Sequence, residues 1–331
     1  MKVLPKLIPS KKCSTTPVHL EIPDYNAGER IGPPVSKLVA LNFQSVIQDA
    51  HLRNLLWSKV RQMNTSDQTI SSWTGFNMQA RDHIDVKKDT VGYLPTINAP
   101  ATQLSTVHKV LKQALNIQKT LDLTEIVCVF DQALYAKAAE ITWKHEEMNQ
   151  NIVLRMGAFH TLCNLLSIIG KRFGSAGLRD ISVESGIIAE GSVNTVLEGR
   201  NYNRGVRLCK LMYEALLRLE WKGFSIWLEE YQSDDLPHLA GMITALESLQ
   251  ENVSNETIDT VLADASCIRV FNLFDKYLNH LRFSNGQLAT FWMSFVDMVE
   301  NVLALIRSSR EGNWMLHLSA IRSMIPGCFA K

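Results

Sequence analysis

Two short apolar runs constrain the fold of this chain more than any other feature. They are Glu125-Ile-Val-Cys-Val-Phe130 and Asn151-Ile-Val-Leu-Arg-Met156, and residues 132–147 between them carry apolar side chains at helical spacing. Continuous apolar runs of this length are typical of strands that are buried on both faces. A strand–helix–strand order favours parallel pairing, in which both strands end at the same edge of a sheet. The sequence therefore predicts an α/β centre.

The rest of the chain differs in character from this centre. Residues 1–35 hold six of the ten prolines and are predicted to form an extended arm. Residues 36–88 combine a helical stretch with a polar, irregular one, whereas residues 89–174 contain the alternating elements, including a strand predicted at 90–97. Long helical patterns separated by Gly, Asn, Ser or Pro fill residues 175–331. We expect an α/β protein with a large, mostly α-helical C-terminal region.

Composition limits the class of protein and its compartment. Hydrophobic residues make up 46% of the chain and charged residues 20%, which excludes wholesale disorder. The 34 Lys and Arg residues balance 33 Asp and Glu residues, so a nucleic-acid site has to be a local basic patch. The N-terminus lacks the apolar stretch of a signal peptide, and the six cysteines form no Cys-x-x-Cys pair. Because the most apolar run, 288–306, carries Asp297 and Glu300, we expect no membrane span and a location in the nucleus or cytoplasm.

The candidate chemical site is the edge where the two predicted strands end. Asp131 directly follows the first strand, and His160 lies shortly after the second. Adjacent strands are about 4.8 Å apart, so these side chains are expected within ~10 Å of each other, at the edge where α/β proteins hold ligands. Carboxylate oxygens suit Mg²⁺ or Mn²⁺, which makes Asp131 the candidate metal ligand. Structural roles stay open, because Asp is a preferred helix N-cap and a lone histidine is often only hydrogen-bonded.

A basic stripe is the candidate nucleic-acid contact. Arg200, Arg204, Arg207 and Lys210 recur every three or four residues, with Tyr202 between them. On a helix this spacing predicts one basic face that tracks a phosphate backbone, with Tyr202 placed for stacking. The alternative is an ordinary solvated helix face.

Several common catalytic motifs are absent from the sequence. Residues 170–177 are rich in glycine but lack the spacing of a phosphate-binding loop. His145-Glu-Glu-Met-Asn149 lacks the second histidine of a zinc protease, and no Gly-x-Ser-x-Gly occurs. His160 and Cys163 have ligand-like spacing but no second pair to complete a zinc site.

Three segments resemble a known protein family. They are Gln132-Ala-Leu-Tyr-Ala-Lys-Ala138, Gly157-Ala-Phe-His160 with the later Ile-Gly-Lys-Arg-Phe, and Glu198-Gly-Arg-Asn-Tyr-Asn-Arg-Gly-Val-Arg207. The family consists of uncharacterised, multicopy proteins of animal genomes with the features of mobile-element origin, and the resemblance covers most of residues 65–331. More distantly, Asp131 with the alanines after it, and the strand followed by His160, resemble the middle of Mutator-like transposases.

The distant resemblance implies a ribonuclease H-like central sheet with three acidic residues and a helical insertion before the last. It makes Asp131 the second acid and His160 the histidine after the next strand, with Mg²⁺ or Mn²⁺ as cofactor and DNA as partner. The predicted strand at 90–97 contains no acid for the first position. Asp89 at its edge is a poor substitute and is more typical of a turn residue. Candidates for the third acid, which have no supporting motif, are Glu184, Glu190 and Glu214. Relative to such proteins the chain is expected to be truncated at its C-terminus.

These observations predict a transposase-derived protein whose ancestral function is metal-dependent cutting and joining of DNA. Whether this chain retains the activity stays open, because only one acid is placed. The alternative is a non-catalytic module of mobile-element origin that binds DNA or a protein partner through its helical region. A third interpretation is a small-molecule α/β enzyme that uses the same sheet edge.

Overall fold

The computed structural model describes residues 22–26, 28–29, 44–63, 70–81, 91–284 and 286–329. Asp89 and most of the predicted arm, 1–35, lie outside these described residues. Within them the chain is mostly helical, which confirms the large helical part, and the strands form one small parallel sheet.

The elements follow the sequence pattern closely in most places. In chain order they are α1 (Gln44–Met63), α2 (Trp73–Gln79), α3 (Leu104–Thr120), β1 (Ile126–Phe130), α4 (Gln132–Lys144), α5 (Glu146–Asn151), β2 (Ile152–Met156), α6 (Ala158–Phe173), α7 (Arg179–Glu184), α8 (Val193–Leu197), α9 (Tyr202–Tyr231), α10 (Leu236–Glu251), α11 (Asn255–Ala263), α12 (Ala265–Ser284), α13 (Gly286–Glu311) and α14 (Trp314–Phe329). A π-helical turn, Gly174–Leu178, separates α6 from α7. Short 3-10 turns precede α8 and α10.

The chain divides into two compact units. Residues 1–39 and 84–161 form the first, called here the sheet unit, and residues 40–83 and 162–331 form the second, called the helical unit. The sheet unit therefore contains the predicted strands, and the helical unit contains the predicted basic stripe.

The sheet unit is built on β1 and β2, which pair in parallel. Ile126 lies opposite Ile152 and Phe130 lies opposite Met156. The helices around the sheet contribute buried side chains to one core, among them Val107, Leu111, Ala138, Ile141 and Met148. The parallel pairing predicted from the two apolar runs is confirmed.

Two expectations for the sheet unit are wrong. The strands are not buried on both faces, because the side chains of Val127 and Val129 are 53% and 59% exposed while the alternate residues of β1 face the core. Residues 91–96 form no strand, and Ile97 makes only an isolated bridge. Pro95 in this segment has no N–H to donate to a ladder. The described residues thus form a two-stranded sheet rather than the larger central sheet expected.

The helical unit packs around α9, whose buried residues recur at helical spacing. They include Cys209, Tyr213, Leu217, Trp221, Phe224 and Leu228. The same core contains Leu55, Leu56 and Trp57 from α1 and Val299, Val302 and Leu303 from α13. Trp221, Phe224, Phe271, Phe274 and Phe295 all belong to this helical core.

Two details of the helical unit differ from the sequence expectation. The segment predicted to be irregular contains α2, which forms because Trp73 and Phe76 are buried on one side of a short helix. Among the long helical patterns of residues 175–331, the one at 255–282 forms two helices rather than one. Asp264 is extended, and its carboxylate accepts a 3.0 Å hydrogen bond from the backbone N–H of Cys267. An Asp in this position caps the second helix rather than continuing the first.

Helix α13 is the most apolar long element. Its length and composition would allow it to cross a membrane. Val299, Val302 and Leu303 are nonetheless fully buried in the protein core, and the carboxylate of Glu300 accepts a 2.5 Å hydrogen bond from Tyr213. Such contacts are typical of a helix that lies in a protein core.

Candidate functional site

The two strands end at one sheet edge, as their predicted parallel pairing requires. Phe130 and Met156 are the last paired residues of the two strands, and the N–H of Gly157 donates to the carbonyl of Phe130 at 2.8 Å. Asp131 and the segment from Gly157 to His160 therefore leave the sheet at the same edge. In a parallel sheet this is the end at which ligands bind.

The two side chains at this edge have local partners. Asp131 is exposed and caps α4, because its carboxylate accepts a 2.8 Å hydrogen bond from the backbone N–H of Leu134. His160 lies in the first turn of α6, partly buried, with its ring edge-on to Phe159 at 5.5 Å between centroids. Both residues thus occupy positions that a structural role explains.

A metal site at this edge would need more ligands than the structure brings together. Among the described residues no group of three or more His, Cys, Asp or Glu side chains is placed to hold an ion. Of the candidates for a third acid, Glu190 pairs with Arg179, and Glu214 lies 3.0 Å from Arg61 and 2.6 Å from Arg218. Asp131 alone does not fit a two-metal centre, which requires several converging carboxylates.

The basic stripe lies at the N-terminus of α9, and Gly199 and Asn201 fix where this helix begins. Gly199 has a φ of +74°, and a Cβ there would approach the carbonyl oxygen of Cys163 to 2.2 Å, so only glycine fits. Asn201 then caps α9, accepting a 3.4 Å hydrogen bond from the backbone N–H of Arg204. Helix α9 therefore begins at Tyr202, two residues later than the first arginine of the stripe.

The four basic residues of the stripe do not share one face. Arg200 precedes the helix and pairs with Glu198 at 3.1 Å. Arg204 donates a 2.8 Å hydrogen bond to the hydroxyl of Ser192. Arg207 and Lys210 instead line a cleft. The prediction of a single basic face is wrong because the helix starts after Arg200, and because steps of three residues drift around a 3.6-residue helix.

We call this cleft the basic cleft. It lies within the helical unit and has a volume of about 410 Å³. Its lining residues are Trp57, Ser72, Trp73, Tyr202, Asn203, Val206, Arg207, Lys210, Leu211, Glu214 and Arg310. Tyr202, Arg207 and Lys210 from the predicted stripe are thus joined by residues from α1, α2 and α13.

Lys210 occupies an unusual position in the basic cleft. Its Nζ donates a 2.5 Å hydrogen bond to the hydroxyl of Thr74 and lies 4.8 Å from the centroid of the Trp73 ring. Burial and the neighbouring charge of Arg310 lower the pKa of this amine to about 8. Lys210 therefore carries its charge at neutral pH under repulsion from a second cation.

The lining residues of the basic cleft do not neutralise its positive charge. Its one carboxylate, Glu214, is neutralised by Arg61 and Arg218, which are not part of the lining. Within the described ranges no carboxylate forms an ion pair with Arg207, Lys210 or Arg310. Among the described residues, three cations thus line one cleft without a paired carboxylate, and such a concentration of positive charge attracts anions.

Sequence reasoning found part of this site and missed the rest. Arg310 lies a hundred residues after the stripe and Trp73 lies in the segment predicted to be irregular. The one available signal for Arg310 was its place in the last turn of a long apolar helix, which favours a cation for reasons of helix stability alone. Nothing in the sequence links it to Lys210.

One known protein family matches most of this chain. A family described as a domain of unknown function, DUF8702, matches residues 72–331. The chain belongs to this family. The matched region contains the whole sheet edge and every residue of the basic cleft except Trp57. No curated protein and no solved structure matches the chain.

Proposed function

We propose that this member of the DUF8702 family is a nucleic-acid-binding module of mobile-element origin, which holds phosphate in the basic cleft. The observation that carries the proposal is the group formed by Arg207, Lys210 and Arg310, which lacks a counter-ion among the described residues. The sequence resemblance to mobile-element proteins supports DNA as the nucleic acid. A protein of this kind works in the nucleus or cytoplasm.

Electrostatics explains why a phosphate favours this position. Each phosphate that a protein neutralises releases condensed counter-ions, so binding is driven by local positive charge and weakens with salt. The whole chain has a formal net charge of only +1, so a general attraction for DNA is not available. The basic cleft is a local concentration of charge, and it is partly shielded from water, which strengthens each ion contact.

The proposal is tested with the full-length chain and a short labelled DNA. Arg207→Ala and Arg310→Ala are each expected to weaken binding by roughly 1.5–3 kcal/mol, the typical contribution of a hydrogen bond to a charged group. Arg200→Ala is the matched control, because Arg200 is exposed and paired with Glu198 outside the cleft. Equal, small effects of all three substitutions would show that the cleft is not the binding site.

A second proposal concerns catalysis at the sheet edge. It treats the strand–helix–strand unit as the remnant of a ribonuclease H-like core, in which Asp131 and His160 occupy ancestral positions of a metal-dependent transposase. The parallel register favours it, because both residues leave the sheet at the same edge. Asp131 is the residue that would hold Mg²⁺ or Mn²⁺, although one carboxylate does not complete a centre for DNA cutting.

DNA nicking in the presence of Mg²⁺ or Mn²⁺ tests this second proposal. The comparison is between the wild-type chain and Asp131→Asn, a substitution that keeps the helix cap because Asn and Asp cap helices equally well. Activity that depends on the metal and is lost in the variant would establish the catalytic role. Equal activity in both proteins, or none in either, would reject it and leave the binding module.

A protein partner is the remaining alternative for the helical region. Leu219 and Ile226 are 64% and 59% exposed on α9, and they lie seven residues apart on one side of that helix. An exposed apolar pair of this kind suits contact with another helix. Mixing the chain with DNA and measuring its mass by light scattering distinguishes a DNA complex from self-association through this face.

A further inference from the structure

We infer that Lys210 is a nucleophile, which forms an imine with an aldehyde that carries a nearby phosphate group. The inference deepens the proposed function, because it rests on the same basic cleft holding phosphate. An abasic site in DNA presents this chemistry, since its sugar has an aldehyde form beside a backbone phosphate. A small phosphorylated aldehyde presents it as well, and the experiments below separate these two sources.

The position of Lys210 in the cleft allows a bound molecule to reach it. Lys210 is one of the lining residues and is only partly buried, and its Nζ lies 4.8 Å from the centroid of the Trp73 ring, which lines the cleft too. Arg207 lies one helical turn before it on α9, and Arg310 joins the lining from the last turn of α13. A phosphate that binds the two arginines therefore leaves the amine for a second group of the same molecule.

An imine forms only from a neutral amine, and the surroundings of Lys210 favour that form. Burial, and then the charge of Arg310, lower the pKa of the Lys210 amine to about 8. At pH 7 roughly one amine in ten is then neutral, compared with fewer than about one in a thousand for an ordinary lysine. Among the described residues no carboxylate pairs with Lys210, since Glu214 of the lining is held by Arg61 and Arg218. Burial and a neighbouring cation are the features that activate lysine nucleophiles in enzymes.

The hydroxyl group of Thr74 suits both protonation states of the amine. It accepts a 2.5 Å hydrogen bond from the Nζ of Lys210 in the ammonium form. Because a hydroxyl group is also a donor, it can donate to the neutral amine once the proton has left. The residues that line the cleft before α9, which are Trp57, Ser72 and Trp73, carry no charge that would oppose this change.

The proposed step balances without a further reagent. The lone pair of the Lys210 nitrogen attacks the carbonyl carbon, a C–N bond forms, and the proton that the nitrogen loses passes to the oxygen to give a carbinolamine. Loss of water then forms the C=N bond. No group is oxidised or reduced, and the phosphate stays at Arg207 and Arg310 throughout.

Reductive trapping tests the inference. Cyanoborohydride converts an imine to a stable amine, and peptide mass spectrometry then locates the labelled residue. The full-length chain is treated separately with abasic-site DNA, with glycolaldehyde phosphate and with glycolaldehyde, which lacks the phosphate. We expect both phosphate-bearing probes to label Lys210 about tenfold faster than glycolaldehyde does, because only they bind the arginines. Labelling should rise with pH and level off above about pH 8, where the amine is already neutral.

Three substitutions sharpen the test. Lys210→Arg keeps the positive charge but should abolish labelling at this position, and thermal unfolding checks that the variant is folded. Arg207→Ala should slow labelling by the phosphate-bearing probes about tenfold more than labelling by glycolaldehyde. Lys222→Arg is the matched control, because Lys222 is an exposed lysine of the same helix outside the cleft, and labelling of Lys210 should not change.

Each outcome bears on one of the two proposals. Labelling spread evenly over Lys210 and Lys222, or equal rates with glycolaldehyde and its phosphate, would overturn the inference. DNA that binds the chain without being trapped would overturn DNA as the source of the aldehyde, and would overturn the inference if glycolaldehyde phosphate is not trapped either, leaving the proposed function intact. Trapping of glycolaldehyde phosphate alone would support the imine chemistry with a small molecule. Failure of DNA to bind, with no trapping of any probe, would reject the proposed function and this inference together.

Discussion

The two units of this protein hold their candidate functional charges in different ways. In the sheet unit, Asp131 is exposed and its carboxylate already accepts a hydrogen bond from the backbone of Leu134. In the helical unit, Arg207, Lys210 and Arg310 share a cleft, and no carboxylate of the described residues pairs with them. A carboxylate that already accepts a backbone hydrogen bond has a structural explanation. Cations held close together without a paired carboxylate repel one another, and a bound anion would relieve this repulsion. The proposal of anion binding therefore concerns the helical unit, whereas the charge of Asp131 in the sheet unit already has a structural explanation.

The largest expected effect contrasts the cores of the two units. Trp221→Ala should lower the free energy of unfolding by about 3–5 kcal/mol, because the indole is fully buried and its N–H donates to Ser58 at 2.9 Å. Val129→Ala in the sheet unit should cost less than about 0.5 kcal/mol, because that side chain is largely exposed. Urea unfolding measures both. A large cost for Val129→Ala would show that the open face of the sheet is covered in solution.

The next effect concerns pH and the helical unit. His51 lies 2.9 Å from Glu300. Burial lowers the pKa of His51, but the charge and hydrogen bond of Glu300, together with the charges of Asp275 and Asp297, outweigh burial and raise this pKa to about 9. This stabilisation is complete below the unfolded pKa of about 6.5 and is lost as pH rises through 9, with a loss of roughly 3 kcal/mol. Glu220 adds to this loss. Burial raises the pKa of its carboxyl group to about 8, so the folded protein also loses stability as this group ionises with rising pH.

Unfolding measured between pH 6 and pH 9 checks this expectation, with His51→Gln as the variant that flattens the profile. The sheet unit should respond in the opposite sense. Burial, Lys112 and His145 lower the pKa of His108, so its contribution is lost as pH falls below 6.5. A helical unit that is equally stable at pH 6 and pH 9 would contradict the His51 assignment.

The smallest predicted effect separates capping from metal binding at Asp131. Asp131→Ala should cost about 1 kcal/mol of stability, whereas Asp131→Asn should change it by only a few tenths, because Asn also caps helices. Thermal unfolding of the three proteins without metal provides the measurement. No cost for the alanine variant would mean that the carboxylate does not stabilise α4, and this would strengthen its assignment to a metal.

The sequence predicted those features that depend on local pattern. The parallel pairing of β1 and β2 follows from two apolar runs separated by one helix, and Asp131 follows directly from the end of the first run. The open face of the sheet was not predictable in this way, because a continuous apolar run does not show which residues a neighbouring helix covers. Helix α2 was missed because it is only seven residues long and has a polar sequence on both sides.

The candidate site likewise contains some residues that the sequence pattern predicts and others that only tertiary packing brings in. Tyr202, Arg207 and Lys210 were predicted because they lie close together in the sequence of one helix. Arg310 joins them only through the packing of α9 and α13, which no local pattern reveals. The sequence also suggested a continuous stripe, whereas the cap at Asn201 places Arg200 outside the helix. The spacing of basic residues therefore pointed to a positively charged site, but the set of residues that line the cleft depends on tertiary packing.

The central proposal is that Arg207, Lys210 and Arg310, which pair with no carboxylate among the described residues, hold phosphate in the basic cleft. The salt dependence of DNA binding tests it most directly, measured for the wild-type chain, for Arg207→Ala with Arg310→Ala, and for Arg200→Ala. Each lost phosphate contact should reduce the slope of log affinity against log salt by about 1, so the double variant should lose about 2 and the control almost nothing. The same slope in all three proteins would contradict the account.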